Sequence, residues 1–76
     1  MVKIRLKRLG RKKAPFYRIV AIDSRERRQG APIMELGWYN PLTDDFQFNR
    51  MQVLHFLKTG AQPTSTVAGL MKKAQL

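Results

Sequence analysis

The 76-residue chain contains no cysteine and only one histidine, His55. The lack of thiolates excludes disulfides, cysteine-ligated zinc and iron–sulfur clusters, and one imidazole is too few for a histidine metal site. No run approaches the ~18 apolar residues that a membrane span needs. The first residues also lack the apolar core of a secretory signal, so we expect the chain to function where it is made.

Residues that could carry catalysis are sparse and wrongly spaced. The single stretch around Gly10 lacks the repeated glycines of a nucleotide-binding loop, and no Ser/His/Asp set can be assembled. Asp44 and Asp45 follow Pro41, in a composition typical of a turn rather than of an acid–base pair. His55 lies within a predicted helix, where a packing or surface role is expected. We therefore predict that the chain is not an enzyme and needs no metal or cofactor.

The spacing of apolar residues predicts strands first and helices last. Residues 2–7 alternate apolar and cationic side chains, which is typical of a half-buried strand. Residues 16–22 are β-branched and aromatic and predict a second, more buried strand. Residues 33–39 predict a third strand, and residues 46–48 a short fourth one. Strict alternation in the third strand would place Met34, Leu36 and Trp38 on one face of the sheet, with Tyr39 on the other.

Two short helices are predicted in the last third of the chain. Asn49 is a suitable N-cap with Gln52 three residues later, and Gly60 is suited to follow the helix end. Thr64, directly after Pro63, is a suitable N-cap for a second helix. The fold class predicted for residues 1–76 is a single α+β domain, with a small mixed β-sheet of three to four strands and two short C-terminal helices packed on one face.

The positive charge is concentrated near the start of the chain. The fifteen Lys and Arg exceed the five Asp and Glu by ten. Residues 1–28 hold eleven of the cations and two of the anions, whereas residues 29–76 are nearly neutral. Two basic, Gly- and Pro-containing segments, 8–15 and 23–32, are predicted to be surface loops. Such a lopsided distribution indicates a surface that meets a polyanion.

Phosphate recognition by this surface suits RNA better than sequence-specific DNA, because base-reading residues are only weakly indicated. Tyr17, Trp38 and Tyr39 could stack on bases; a core position is favoured for Trp38, and Tyr39, beside Asn40 on the opposite face, is kept as the candidate contact. The predicted RNA-binding residues are Lys3, Arg5, Lys7, Arg8, Arg11, Lys12, Lys13, Arg18, Arg25, Arg27, Arg28 and Tyr39.

Several segments closely resemble the bacterial-type ribosomal protein S16 family. They are residues 1–13, residues 15–20, residues 23–25, the run Gly-Trp-Tyr-Asn-Pro at 37–41 and the run Gly-Ala-Gln-Pro at 60–63, followed by Thr66 and Val67. The resemblance covers nearly the whole chain, and its C-terminal helices are similar to those of plastid members. It implies a small α+β protein of the small ribosomal subunit that binds the subunit's rRNA and supports its assembly during translation.

The function predicted from charge and resemblance together is that of a structural constituent of the small ribosomal subunit. Its expected partners are small-subunit rRNA and neighbouring ribosomal proteins, without a membrane or a small-molecule substrate. Its expected location is the ribosome of a bacterial cytoplasm or of a plastid (chloroplast) stroma. The alternatives are a basic module that binds polyanions or anionic membranes, a small nuclease, and a charged face that is merely solvated.

Overall fold

Five strands and two helices make up the computed structural model, which describes residues 1–11, 13–23, 25 and 32–76. In chain order the elements are β1 (Val2–Arg11), β2 (Ala14–Asp23), β3 (Met34–Asn40), β4 (Asp45–Phe48), α1 (Arg50–Lys58), β5 (Gln62–Pro63) and α2 (Ser65–Lys73). The α+β class with two C-terminal helices is confirmed. The sheet has one strand more than predicted, because the two-residue β5 has no periodicity by which a sequence pattern could reveal it.

The five strands form one sheet in the order β4-β3-β2-β1-β5. β1 and β2 pair antiparallel along ten residues each, from Val2 opposite Asp23 to Arg11 opposite Ala14. β3 and β4 continue the sheet antiparallel, whereas β5 joins the other edge parallel to β1. The sheet is therefore mixed, as expected, and the chain reversals at the two ends of β2 lie at opposite ends of the sheet.

Both helices begin at the predicted caps. The Asn49 Oδ1 accepts a hydrogen bond from the Gln52 amide at 3.3 Å, and the Thr64 Oγ1 accepts one from the Val67 amide at 3.4 Å. Each bond satisfies an amide that the first turn of the helix would leave without an acceptor. The α1 helix ends at Lys58, and Gly60 follows with φ at +98°, the left-handed conformation that glycine permits after a helix.

The helices pack on one face of the sheet, here called the helix face. Ile4 and Ile19 from the central strands contact a core that includes Val53 of α1 and Val67 of α2, and all four are fully buried. The opposite side of the sheet, here called the outer face, carries no helix from the described part of the chain. Alternation along β1 places every second residue on this outer face.

A cation at the start of α1 and another at the end of α2 contact other parts of the fold. The Arg50 Nη1 donates to the Ala74 carbonyl oxygen at 2.9 Å, at the C-terminal end of α2. The Lys73 Nζ lies 3.5 Å from the Asp44 Oδ2 in the β3–β4 turn. Cations are favourable beside the carbonyls at a helix C-terminus, so these contacts hold α2 against the first turn of α1 and against the sheet edge.

A β-bulge in β3 reverses the side-chain alternation that the sequence predicts for this strand. Ile19 lies opposite Gly37, but the next residue of β2 lies opposite Glu35, which leaves Leu36 as the extra residue. Leu36 is buried in the core and Met34 packs against that core on the helix face. Trp38 is paired with an outer-face residue of β2 instead. The prediction that all three share one face was therefore wrong, because a bulge shifts the period-two pattern by one residue.

The close approach of β3 and β4 at the bulge depends on the absence of a side chain at residue 37. A Cβ there would collide with the Gln47 carbonyl oxygen and lie 3.1 Å from the Cα of Phe48. Both obstacles are backbone atoms, so neither can rotate away. Gly69, within α2, has open space around the position of a Cβ.

We expect Gly37→Ala to lower the free energy of unfolding by more than about 1 kcal/mol, because the sheet backbone must move to accept the methyl group. Gly69→Ala is the matched control and should raise it by up to about 1 kcal/mol, since alanine is the better helix former. Urea denaturation of both variants measures the two changes. A Gly37→Ala variant as stable as the wild type would contradict the close approach.

The carboxylate of Asp23, at the end of β2, is held in its ionised form by local contacts. Its Oδ1 accepts a hydrogen bond from the Arg25 amide at 2.9 Å, and the α-ammonium of Met1 lies 3.8 Å away. The hydrogen bond from Arg25, with a smaller contribution from the ammonium charge, lowers the pKa of Asp23 below its ordinary value. The turn that follows β2 is thereby linked to the ionisation of this group.

A lowered pKa in the folded state means that the stabilisation is present above the unfolded pKa, about 3.9 for Asp, and is lost as the pH falls through the folded value. We expect the Asp23 carboxyl, followed by NMR, to titrate at lower pH in the folded protein than in urea. The Asp23→Asn variant should lose less stability than the wild type across this acidic range. Identical titration in the two states would refute the assignment.

Candidate nucleic-acid interface

A row of cations runs along the outer face of β1. Lys3, Arg5 and Lys7 alternate with Val2, Ile4 and Leu6, which face the helices, so neighbours in the row are about 6.6 Å apart. Their register partners on β2 include Ile22 and Val20, which are nearly fully buried. Lys3 and Arg5 are themselves half-buried, which places their aliphatic stems beside these apolar residues, whereas Lys7 is exposed.

One carboxylate partly offsets this charge. Arg18 on β2 lies directly opposite Lys7, and like charges in that position repel each other. The Arg18 Nη1 lies 3.4 Å from the Glu35 Oε2 on β3. The pair is largely exposed, so its contribution to stability is small. The four cations Lys3, Arg5, Lys7 and Arg18 form what we call the strand row, in which Arg18 is ion-paired with Glu35.

The hairpin end of the β1–β2 pair adds further cations at one end of the sheet. The prediction of a basic loop over residues 8–15 was wrong in its extent, because β1 runs to Arg11 and β2 begins at Ala14. Arg8, near the end of β1, and Lys13, between the two strands, are both exposed. Within the part of the chain that the structure describes, neither they nor Lys7 lie within ion-pair distance of a carboxylate. Arg8 points to the helix face rather than the outer face, because β1 alternates. Lys12 and the side chain of Arg11 lie outside the described residues.

The second predicted basic loop follows β2 at the opposite end of the sheet. Arg25 is described and exposed, and its amide donates to Asp23. Arg27 and Arg28 lie outside the described residues. Of the described cations, Lys13 precedes β2 and Arg25 follows it, so they lie at opposite ends of that strand, and the strand row extends between those ends along β1.

The aromatic residues divide between the two faces. Tyr39, the predicted contact, is half-buried on the helix face, 6.4 Å from Tyr17 between ring centroids, and its hydroxyl donates to the Asp44 Oδ1 at 3.4 Å. Trp38 lies on the outer face, with its ring centroid 5.9 Å from that of Phe16. Sequence reasoning favoured a core position for Trp38 over a stacking one, because it assumed unbroken alternation through Gly37.

The residues considered for catalysis have structural or surface positions. Asp44 ends the turn with φ at +57° and contacts Lys73, while Asp45 begins β4. His55 is exposed on α1, with its ring against that of Phe56. Over the described ranges, no three metal-ligating side chains come together.

The two helices are relevant to the alternative that the chain binds membranes. None of those in the described chain has both the length and the apolar character to cross a bilayer. Their cations are also partly engaged within the protein, since Arg50 binds carbonyls at the end of α2 and Lys73 contacts Asp44. Lys7, Arg8 and Lys13 at the hairpin end lie beyond ion-pair distance of the described carboxylates, as do Lys58 and Lys72 on the helices.

The chain is similar to known proteins over its whole length. Residues 8–64 match the family described as "Ribosomal protein S16". The chain is 53% identical over all 76 residues to "Small ribosomal subunit protein bS16" of Acaryochloris marina, covering 90% of that protein. It is 50% and 53% identical over its full length to the proteins named bS16c of Chaetosphaeridium globosum and Porphyra purpurea, covering 92% and 93% of them.

These relatives include bacterial and plastid proteins, as the resemblance of the N-terminal and Gly-Trp-Tyr-Asn-Pro motifs predicted. They are ribosomal structural proteins, so the prediction that the chain is not an enzyme is confirmed as well. The family match spans β2, β3, β4 and the first helix, and the similarity to the relatives extends over the whole chain, including the strand row. The chain therefore belongs to the ribosomal protein S16 family.

Proposed function

We propose that the chain is a structural constituent of the small ribosomal subunit, in a bacterium or plastid, and that it binds the subunit's rRNA as one domain over residues 1–76. The RNA-binding surface is the strand row together with the hairpin end of the sheet, where Lys7, Arg8 and Lys13 are exposed. The observation that carries the proposal is the outer face, where four cations from two adjacent strands lie side by side and Lys7 stands directly opposite Arg18.

Repulsion between the cations of the strand row destabilises the isolated protein. Lys7 and Arg18 lie opposite each other, and Lys3, Arg5 and Lys7 follow one another at a spacing well within the ~10 Å screening length of ~0.1 M salt. An RNA backbone relieves this repulsion because its phosphates are spaced along a line, and their condensed counterions are released on contact. Neutralising phosphates where rRNA helices converge lowers the cost of packing those helices together.

The core supports a single, rigid binding domain. Side chains from β1, β2, β3 and both helices meet in one cluster that includes Ile4, Leu36, Val53 and Met71. The strand row therefore lies on a surface whose opposite side is fully packed. A rigid display of cations costs less ordering entropy on binding than a flexible segment does.

The remaining predicted contacts extend this surface. Arg11 and Lys12 belong to the hairpin end by sequence, and Arg25, Arg27 and Arg28 to the far end of β2. Tyr39 remains a predicted contact through its ring, since its hydroxyl already donates to Asp44. Neighbouring ribosomal proteins remain expected partners, for which exposed apolar residues of α1 such as Met51 are available.

Removing three hairpin-end cations tests the proposal. We expect the triple variant Lys7→Ala, Arg8→Ala, Lys13→Ala to bind small-subunit rRNA more weakly. The slope of log K against log salt concentration should flatten by about two to three units, because each lost phosphate contact removes roughly 0.7–0.9 of a unit. Filter binding across a salt series measures both quantities.

The matched control removes the same charge from the helices, as Lys58→Ala, Lys72→Ala, Lys73→Ala. It should leave the slope close to that of the wild type. Equal slopes for the two triple variants would show that net charge alone drives binding. A wild-type protein that floats with anionic liposomes but does not bind rRNA at the same salt concentration would instead support the membrane alternative.

A further inference from the structure

Four side chains form a continuous row across the outer face at the hairpin end of the sheet. Lys7 on β1 is the register partner of Arg18, Arg18 is the partner of Trp38, and Trp38 is the partner of Gln47 on β4. Neighbouring strands are ~4.8 Å apart, so the row spans about 14 Å. In order, it presents a cation, a second cation, an aromatic ring and an amide.

The aromatic member of the row, Trp38, is half-buried and packs against a neighbouring aromatic ring on the same face. Trp38 packs against Phe16 with the two ring planes inclined at 23°, and Phe16 is in turn the register partner of Leu9 on the same face. This apolar support fixes the position of the indole. A fixed, partly accessible ring on an open sheet face is the arrangement on which unpaired bases stack.

A groove of about 390 Å³ adjoins the row, within the range of small-ligand sites. Its lining includes Arg18, Glu35, Trp38, Gln47 and Asn49. The buried Nε of Arg18 has no hydrogen-bond acceptor among the described residues, and its Nη1 is 3.4 Å from Glu35. A buried donor without an acceptor is unfavourable, so a small movement of the guanidinium toward an anionic ligand would improve its hydrogen bonding.

We propose that this row, here called the nucleotide row, binds one unpaired nucleotide of RNA. The phosphate lies between Lys7 and Arg18, the base stacks on Trp38, and the edge of the base meets the Gln47 amide and the Glu35 carboxylate. The inference deepens the proposed rRNA binding and rests on it. It adds recognition of a single base to a surface otherwise suited only to the phosphate backbone.

The chemistry of the row favours a nucleotide over other anionic ligands. A site that recognised its ligand by negative charge alone would be expected to have cations on both sides of the ring. Here the cations lie on one side of the Trp38 ring and uncharged amides lie on the other. The Glu35 carboxylate beside the ring repels a second anion but accepts hydrogen bonds from base N–H groups. A base within a duplex hides both its stacking face and its pairing edge, so the ligand must be unpaired.

Trp38 is the only tryptophan in the chain, so its fluorescence reports directly on the proposed stack. We expect small-subunit rRNA and a short single-stranded RNA of mixed sequence to quench this fluorescence. The same strand annealed to its complement should bind through its phosphates without equal quenching. Sodium polyphosphate, an anion without bases, should leave the fluorescence nearly unchanged.

Variants measured by anisotropy of the labelled single strand complete the test. Trp38→Leu should weaken binding about 5- to 100-fold, the range for loss of one base–aromatic stack, and Trp38→Phe should weaken it less. Gln47→Ala should weaken binding about 2- to 10-fold through lost hydrogen bonds. Gln52→Ala, which removes a glutamine side chain from α1 on the helix side of the sheet, is the matched control and should bind as the wild type does.

Circular dichroism checks that each variant folds. If Trp38→Leu does not fold, the binding of Gln47→Ala tests the inference. The inference is overturned if single strand and duplex quench equally, if neither quenches, or if Gln47→Ala binds as tightly as Gln52→Ala. Such results would leave the proposed rRNA binding intact provided that the wild type binds rRNA with a steep salt slope. Loss of that slope would instead count against the proposed function.

Discussion

The ten-residue antiparallel pairing of β1 with β2 is the constraint on which the rest of the structure depends. Its register sorts the alternating residues of β1 so that Ile4 meets Ala21 on the helix face, while Arg5 meets Val20 on the outer face. A slip of one residue would turn Ile4 into solvent and drive Arg5 into the core. The core and the cationic surface are thus two consequences of one register, and neither can change without the other.

The cations on the two sides of the sheet differ in their contacts with the rest of the protein. On the helix side, cations such as Arg50 and Lys73 bind carbonyl or carboxylate oxygens of the protein itself and hold α2 in place. On the outer face and at the hairpin, Lys7 and Lys13 lie beyond ion-pair distance of every described carboxylate. Arg50 and Lys73 are therefore engaged in folding, whereas Lys7 and Lys13 stay available for the polyanionic partner that we propose.

The bulge at Leu36 decides the character of the outer face. Without the extra residue, Trp38 would face the helices, and the outer face would present cations alone. With it, the indole packs against Phe16 between Arg18 and Gln47. The close strand approach that a glycine at 37 permits therefore places an aromatic ring beside the cations of the outer face, and this arrangement is the basis of the proposed nucleotide row.

The sequence by itself determined the α+β class, the caps at Asn49 and Thr64, the cationic alternation of β1 and the family. These follow from local periodicity, local hydrogen bonding and contiguous motifs, which a linear pattern records. Only the tertiary structure decided that the short β5 closes the sheet edge, that Arg8 and Lys7 occupy opposite faces at the hairpin, and that Trp38 points outward. Those features depend on which strand lies beside which and on where one extra residue is inserted, and such non-local pairings leave no period in the sequence.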